Sequence, residues 1–170
     1  VYEAKADGVR YLFLRHPRVA DKLYAKVPSS EELRRAVFLS RAALEVVQNR
    51  ALGVDPQLII SNDWVTGLIP VFLQKDPRYA EDPLLQNVGT THMIHNYGRD
   101  YQGRIFTNQY GLDLWPMLGL DHTFYQDVAD PNDDRFLNIT SSAMAHMNRS
   151  ILTVSRPYAE QMLTPEAGEG

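Results

Sequence analysis

The stretch QLIISNDWVTGLIPVFL, from Gln57 to Leu73, sets the fold class of this sequence. A short apolar strand is followed by a polar turn and then by an apolar helix, with Pro70 placed early in that helix. The same order of strand, turn and helix recurs around residues 87–98 and 150–163. Strands that alternate with helices predict an α/β fold of the Rossmann-like kind, a parallel sheet with helices on both faces.

A long amphipathic helix is predicted ahead of this stretch. Ser29 and Glu32 match a capping box at its start, and Gly53 is predicted to end it in a left-handed conformation. Apolar residues recur every three or four positions along one face, whereas charged and amide side chains fall off that face. The apolar positions are Leu33, Val37, Leu44 and Val47, and the polar ones are Arg34, Arg35, Arg41, Glu45 and Gln48.

The rest of the chain carries weaker signals. Val9 to Leu14 is rich in β-branched and aromatic residues, which predicts a buried strand. A loop-rich stretch is expected from Asp100 to Asp134, followed by a helix from roughly Leu137 to Asn148. Because no internal repeat or long linker divides the sequence, a single domain covering residues 1–170 is predicted.

Composition excludes several classes of protein. Hydrophobic residues make up 44% of the 170 positions and charged residues 22%, which suits a globular domain with a core. The net charge of -4, without a run of Lys or Arg, argues against a nucleic-acid partner. The lack of cysteine excludes disulfides and thiolate metal sites. No apolar run approaches the ~20 residues that cross a bilayer, and the first residues lack signal-peptide character, so a cytoplasmic protein without a membrane partner is expected.

The turns that follow the three predicted strands form the candidate site. Ligands of open parallel sheets bind beyond the carboxyl ends of the strands. The turns after Ile60, Ile94 and Val154 are therefore expected to share one edge. The residues predicted to be neighbours there are Asn62, Asp63, Trp64, His95, Asn96 and Ser155.

Each of these side chains has more than one possible role. Asp63 can cap the helix that follows it, which is the role that the sequence alone favours. Alternatively, its carboxylate can hydrogen-bond a ligand hydroxyl or stabilise positive charge on a sugar ring. Trp64 suits either the core or stacking on a sugar. His95, which ends an apolar run and precedes Asn96, is predicted to contact a ligand.

No metal site or cofactor is predicted. His92 and His95 point to opposite faces of a strand, so they cannot chelate one ion together. The acidic stretch from Asp127 to Asp134 lacks the glycine and terminal glutamate of an EF-hand and predicts a solvated loop. Phosphate-loop, dinucleotide and nucleophile-elbow motifs are also missing from the sequence. Residue chemistry alone therefore predicts an α/β domain with a polar, sugar-compatible edge.

Four stretches resemble motifs of the glycogen and starch synthases, and they follow in the family's order. Ala36–Val47 (AVFLSRAALEVV) is similar to the helix F-x-F-x-S-R-A-A-L-E, and Ser61–Leu73 (SNDWVTGLIPVFL) to H-x-x-D-W-H-x-G-L-x-P. Met93–Ile105 (MIHNYGRDYQGRI) resembles T-I-H-N-x-x-Y-Q-G. Thr153–Gly170 (TVSRPYAEQMLTPEAGEG) resembles T-V-S-P-x-Y-A-x-E-I-x-T-P-x-x-G-x-G. The resemblance covers nearly the whole chain and is weakest from about Gln109 to Asp134.

The resemblance implies a GT-B glycosyltransferase, in which two Rossmann-like domains face each other across a cleft and no metal or cofactor is needed. Such enzymes transfer glucose from ADP-glucose or UDP-glucose to an α-1,4-glucan with retention of configuration, so the expected partners are a nucleotide-sugar donor and an α-glucan acceptor. By motif match, Asp63 and His95 are the expected catalytic residues. The residues expected to bind the substrate are Asn62, Trp64, Asn96 and Gln102.

The sequence also departs from the family pattern. Ile60 and Val65 stand where members carry histidine or another polar residue, and the turn at 97–100 is atypical, which leaves the donor and acceptor open. The family's glycine-rich lysine loop and nucleotide-binding C-terminal domain have no counterpart in these residues. We therefore expect part of the N-terminal, acceptor-side domain, inactive by itself. Two alternatives are another GT-B glycosyltransferase with a different donor or acceptor, and a non-catalytic carbohydrate-binding or regulatory domain.

Overall fold

A β-hairpin opens the computed structural model, which describes residues 1–17 and 30–166. Strand β1 (Tyr2–Ala6) pairs antiparallel with β2 (Val9–Phe13). The two turn residues, Asp7 and Gly8, have positive φ values of 51° and 78°, which match the twist of a hairpin. The strand predicted from Val9 is thus present, but the prediction that it is buried is wrong. Its alternate side chains are exposed because, among the described strands, β2 pairs with β1 alone.

Helix α1 (Ser30–Gln48) packs its predicted apolar face into the core. Leu33 and Leu44 are fully buried there. Arg35, which was expected to lie off this face, is buried instead, and its guanidinium lies 3.3 Å from the carboxylate of Glu32. Burial of the Arg35 guanidinium is tolerated because the carboxylate of Glu32 lies beside it. The predicted cap, Ser29, lies outside the described residues.

The end of α1 differs from the predicted end at Gly53. The helix stops at Gln48, and a 3-10 turn follows at Arg50–Leu52. Gly53 is left-handed as predicted, with a φ of 59°, and its amide donates to the carbonyl of Arg50. It therefore ends the 3-10 turn and not the α-helix.

The first strand of the main sheet, β3 (Leu58–Asn62), leads directly into helical turns. These are α2 (Asp63–Thr66), α3 (Leu68–Lys75) and α4 (Pro77–Ala80), and they are followed by strand β4 (Gly89–Ile94). Pro70 is the third residue of α3, where its missing amide hydrogen costs no helical hydrogen bond. The strand, turn and helix predicted from Gln57 are confirmed.

Further strands follow in the stretch from Asp100 to Asp134 that was predicted to be a loop, and the last of them extends beyond it. They are β5 (Arg104–Phe106), β6 (Asn108–Gln109), β7 (Leu112–Asp113), β8 (Ala129–Asp130) and β9 (Asp133–Asn138). Strand β9 lies between β5 and β8 in an antiparallel sheet, and β6 pairs with β7 in a separate hairpin. The prediction missed them because four of them have only two or three residues and β9 begins with three charged ones, so they show little hydrophobic alternation. The predicted helix near Leu137 is α5 (Ile139–His146), whose first turn is capped by the Asn138 side chain.

The main sheet is completed by β10 (Ile151–Thr153), which is followed by α6 (Arg156–Met162). The strand order is β10-β4-β3, all parallel. Both steps run in the same direction across the sheet, so right-handed crossovers place α2, α3 and α5 on one face. On the other face Leu58, Ile60 and Leu152 are between 37% and 47% exposed. The α/β class with a parallel sheet is confirmed, and the described crossover helices cover one face where both were predicted.

None of the described helices combines the length and the apolar character that a bilayer crossing requires. The cytoplasmic location stays a prediction, as does the placement of residues 1–170 in a single N-terminal domain.

Candidate functional site

Asp63 and His95 meet at the carboxyl ends of two neighbouring parallel strands. Asp63 begins α2 directly after β3, and His95 directly follows β4. The Oδ1 atom of Asp63 accepts a hydrogen bond of 2.8 Å from the main-chain amide of His95. The Oδ1 atom of Asn62 lies 3.3 Å from Nε2 of the His95 ring. The prediction that these three residues share one edge is confirmed, although 32 positions separate Asp63 from His95.

The backbone of Asp63 is strained. Its φ of 50° lies in the left-handed region, which residues other than glycine occupy rarely and which is found at functional sites. The N-cap position of α2 belongs to Asn62, and no side chain caps that turn. The capping role that the sequence favoured for Asp63 is therefore wrong, because its carboxylate binds the turn after a different strand. Within the described residues Oδ2 makes no hydrogen bond, so one anionic oxygen is available to a ligand.

Thr66 holds Asn62 against the His95 ring. The Thr66 hydroxyl accepts from the Asn62 amide at 2.7 Å and donates to the Asn62 carbonyl at 2.8 Å. The Asn62 side-chain nitrogen donates to the carbonyl of Ile60 at 3.3 Å, which turns Oδ1 toward His95. Since an amide oxygen only accepts, this contact is a hydrogen bond when Nε2 of His95 carries a proton. Thr66 was not among the predicted site residues; its signal is a threonine four residues after Asn62, at the helix start.

A second histidine is buried beneath this edge. His92 is 0% exposed, and its Nδ1 lies 2.8 Å from the Ser61 hydroxyl. Its Nε2 has no hydrogen-bond partner among the described residues. Burial lowers the pKa of His92 to about 4, although the nearby charge of Asp63 acts in the opposite direction. The ring is therefore neutral at physiological pH, and its surroundings differ from those of the exposed His95.

Trp64 and Gln102, which were expected to bind the substrate, are both buried. Trp64 is 6% exposed and belongs to the hydrophobic core, which favours a packing role over stacking on a sugar. Gln102 is 1% exposed; its nitrogen donates to the Tyr97 carbonyl at 3.0 Å and its oxygen accepts from Asn138 at 3.0 Å. The Gln102 side chain thus supports the turn after β4, and both of its polar ends are used within the protein.

Asn96 and Ser155 lie at the same edge but bond locally. The Asn96 oxygen accepts from the Gly98 amide at 2.8 Å, which shapes the turn, and the residue is exposed. The Ser155 hydroxyl accepts from the Tyr158 amide at 3.3 Å and caps α6. Among the described residues, the side chains of Asn62 and Asp63 are the ones that bond to His95, so these three residues form the centre of the candidate site.

A cavity with a volume of about 920 Å³ lies away from this edge. Its lining residues come from the stretches 126–135 and 141–146. Three of its four carboxylates are already paired: Asp127 with Lys75 at 3.0 Å, Asp130 with Arg104 at 2.7 Å and Asp133 with Arg135 at 2.7 Å. Asp130 is only 6% exposed, so the acidic stretch is in part structural and not the fully solvated loop that was predicted. Because most of its carboxylates are satisfied internally, this cavity is a weaker candidate than the edge at Asp63.

Comparison with known proteins identifies the family. Residues 1–170 match the family model of the starch synthase catalytic domain. The glycogen synthase of Lachnospira eligens is 32% identical over 99% of this chain and 33% of its own length. That of Clostridium perfringens is 30% identical over 99% of this chain and 32% of its own length. The chain thus spans about a third of the length of these curated relatives.

A solved structure shows the same fold. The catalytic domain of starch synthase IV from Arabidopsis thaliana, bound to ADP and acarbose, aligns with a TM-score of 0.68 and 22% identity. The alignment covers 97% of this chain and 32% of the Arabidopsis chain. This likeness confirms the α/β fold expected for part of a GT-B enzyme. On the family match over its whole length, the chain belongs to the starch synthase catalytic-domain family of glycosyltransferases.

Proposed function

We propose that the edge formed by Asn62, Asp63 and His95 is the acceptor-side half of a retaining glucosyltransferase site. The reaction would move glucose from ADP-glucose or UDP-glucose to an α-1,4-glucan. The observation that carries the proposal is the hydrogen bond from the His95 amide to Asp63 at the carboxyl ends of β3 and β4. Family membership supports the reaction class, and the Arabidopsis enzyme bound to ADP supports a nucleotide-sugar donor.

The chemistry requires stabilisation of a positively charged sugar. The bond between glucose C1 and the diphosphate oxygen breaks, and its electron pair leaves with the nucleoside diphosphate. The acceptor hydroxyl forms the new C1–O bond on the same face, and its proton passes to the leaving phosphate. An ionised carboxylate near C1 stabilises charge that develops only in the transition state. Asp63 suits this role because one oxygen is fixed by His95 while the other is open.

The neighbouring residues have complementary roles in this proposal. His95 is exposed, so its ring is accessible to a ligand hydroxyl, while its main chain is fixed by Asp63. Asn62 orients that ring, and the exposed Asn96 lies next to it in the turn. Trp64 and Gln102 act behind the edge, through packing and through the Tyr97 carbonyl respectively.

The nucleotide-binding half is proposed to come from a second Rossmann-like domain. This division agrees with the share of about a third that the chain covers in its glycogen synthase relatives. A leaving diphosphate needs cations or aligned amide groups around it, and a C-terminal domain of the family would provide them. We accordingly expect residues 1–170 alone to transfer no glucose.

The test is turnover by the full-length gene product with an α-1,4-glucan primer and either ADP-glucose or UDP-glucose. Asp63→Asn keeps an acceptor for the His95 amide and removes only the charge, so kcat should fall on the order of a hundredfold. Asp7→Asn is the matched control, since Asp7 is an exposed aspartate with a similar φ of 51°. Full activity of the Asp63 variant would refute the catalytic role. Glucan binding without turnover by the unaltered protein would favour the carbohydrate-binding alternative, and turnover with another sugar donor would favour a different GT-B activity.

A further inference from the structure

Helix α6 reaches back to the turn after β4 through Tyr158. The Ser155 hydroxyl caps the helix, and Pro157 occupies its first turn. These two residues fix the start of α6 next to β10, and Tyr158 follows immediately. The Thr153 hydroxyl donates to the carbonyl of Ile94 at 2.8 Å, which ties the end of β10 to the end of β4.

The Tyr158 hydroxyl accepts a hydrogen bond of 2.6 Å from the main-chain amide of Tyr97. The carbonyl of Tyr97 accepts from the Gln102 side chain at 3.0 Å. Both polar main-chain atoms of Tyr97 are thus bound by side chains that lie outside the turn. Tyr97 itself is 8% exposed, so its amide is held in a largely buried position where an unpaired donor is unfavourable.

The turn is therefore fixed at two main-chain amides by two different elements. Asp63 of α2 binds the amide of His95, and Tyr158 of α6 binds the amide of Tyr97. Between them lie the main-chain carbonyl of His95 and the whole of Asn96. An amide held at each end leaves this segment little freedom to rotate.

We propose that Tyr158 is a positioning residue for the glucosyl-transfer site. Its hydroxyl acts through the Tyr97 amide to set where the His95 main chain and ring stand relative to the Asp63 carboxylate. The hydrogen bond from the Tyr97 amide to Tyr158 is present whatever reaction the protein catalyses, whereas its effect on catalysis rests on the proposed function. A small displacement of a group that contacts the reacting sugar lowers the rate without weakening the binding of distant parts of the substrate.

Tyr158→Phe tests the proposal because it keeps the ring and removes only the hydroxyl. In the full-length gene product, kcat should fall about ten- to a hundredfold while KM for the glucan changes by less than about twofold. Hydrogen exchange at the Tyr97 amide should accelerate in the same variant. Tyr125→Phe is the matched control: Tyr125 is also half-buried, stacks on Trp115 at 5.2 Å and makes no hydrogen bond through its hydroxyl among the described residues.

Three results would overturn the proposal. One is rapid hydrogen exchange at the Tyr97 amide of the unaltered protein, a measurement that does not depend on whether a variant folds. Another is unchanged exchange at Tyr97 in the Tyr158 variant. The third is faster exchange with an unchanged kcat, which would mean that the position of the turn does not limit the reaction. Failure of the proposed function has a different signature, since Asp63→Asn would then retain full activity while the exchange at Tyr97 still responds to Tyr158→Phe.

Discussion

Arg41 and Asp76 form an ion pair of 2.6 Å that joins α1 to the start of α4. The Arg41 guanidinium also donates to the carbonyl of Leu118 at 2.8 Å and lies 4.0 Å from the centre of the Phe72 ring. Arg41 had been assigned to the outer, polar face of α1, and this prediction is wrong because its side chain is only 15% exposed. One arginine therefore connects the long helix, the helices after β3 and the 3-10 turn that contains Leu118.

Arg41→Leu should destabilise the protein strongly. It leaves the Asp76 carboxylate buried with one partner fewer, and breaking a buried ion pair costs about 3–5 kcal/mol. Arg34→Leu is the control, because Arg34 lies on the exposed side of the same helix and should change the free energy of unfolding by less than about 0.5 kcal/mol. Equal effects of the two substitutions in urea unfolding would contradict the structural role of Arg41.

The same carboxylate predicts a loss of stability in acid. Burial alone would raise the pKa of Asp76, but hydrogen bonds from Arg78 and Arg41 outweigh it and hold the pKa at about 2, below the ordinary 3.8. Because folding lowers the pKa of Asp76, its ionised carboxylate stabilises the protein at pH values above the unfolded pKa of 3.8. This stabilisation is lost as pH falls from 3.8 toward 2. The contribution is about 2 kcal/mol. Urea unfolding across this range should show the loss, and Asp76→Asn should flatten it.

The lowered pKa of His92 predicts a second loss of stability, at a higher pH than the loss due to Asp76. Because burial lowers its pKa from 6.5 to about 4, the unfolded chain binds the proton more readily between these values. Stability should thus fall by about 3 kcal/mol as pH is lowered from neutrality toward 4. His92→Leu should abolish this part of the pH dependence, whereas the exposed His122→Leu should not. If the free energy of unfolding of His92→Leu varied with pH as it does in the unaltered protein, protonation of the His92 ring would cost no stability, against this prediction.

Gly103 should tolerate no side chain. A Cβ atom there would lie 2.8 Å from Cβ of Trp64, and its φ of 64° is left-handed. Gly103→Ala is expected to cost about 3 kcal/mol, the sum of backbone strain and a forced shift of Trp64. Gly111→Ala shares the backbone strain, with a φ of 78°, but meets nothing within 4 Å and should cost about 1 kcal/mol. Thermal unfolding of both variants separates the contact from the strain, and equal costs would exclude the close approach to Trp64.

The parallel sheet and its functional edge could be predicted because both depend on periodicity. Apolar strands followed by helices appear directly in the sequence at Gln57–Leu73, and parallel strands must place their carboxyl ends together. That reasoning brought Asp63 and His95 to one edge without any knowledge of their contact. The contact itself, from the Asp63 carboxylate to a main-chain amide, leaves no trace in the local sequence.

The remaining errors have a common physical origin in partners that are distant along the chain. Asp63 has the residue type and position of a helix cap, and only its φ of 50° and its bond to His95 exclude that role. Trp64 is next to a carboxylate in sequence, yet it packs against Gly103, which lies 39 positions further along the chain. Strand β9 pairs with β5 across 30 to 34 positions; β5 has only three residues and β9 begins with three charged ones, so neither shows a clear pattern alone.

The turn after β4 is anchored almost entirely through its main chain. The amide of His95 and the amide and carbonyl of Tyr97 carry the anchoring bonds, and every residue except proline offers the same groups. The exposed side chain of Asp100 carries none of these three bonds. A change of residue type at such a position leaves the anchoring groups in place, so this turn can carry an atypical sequence and still present His95 to Asp63.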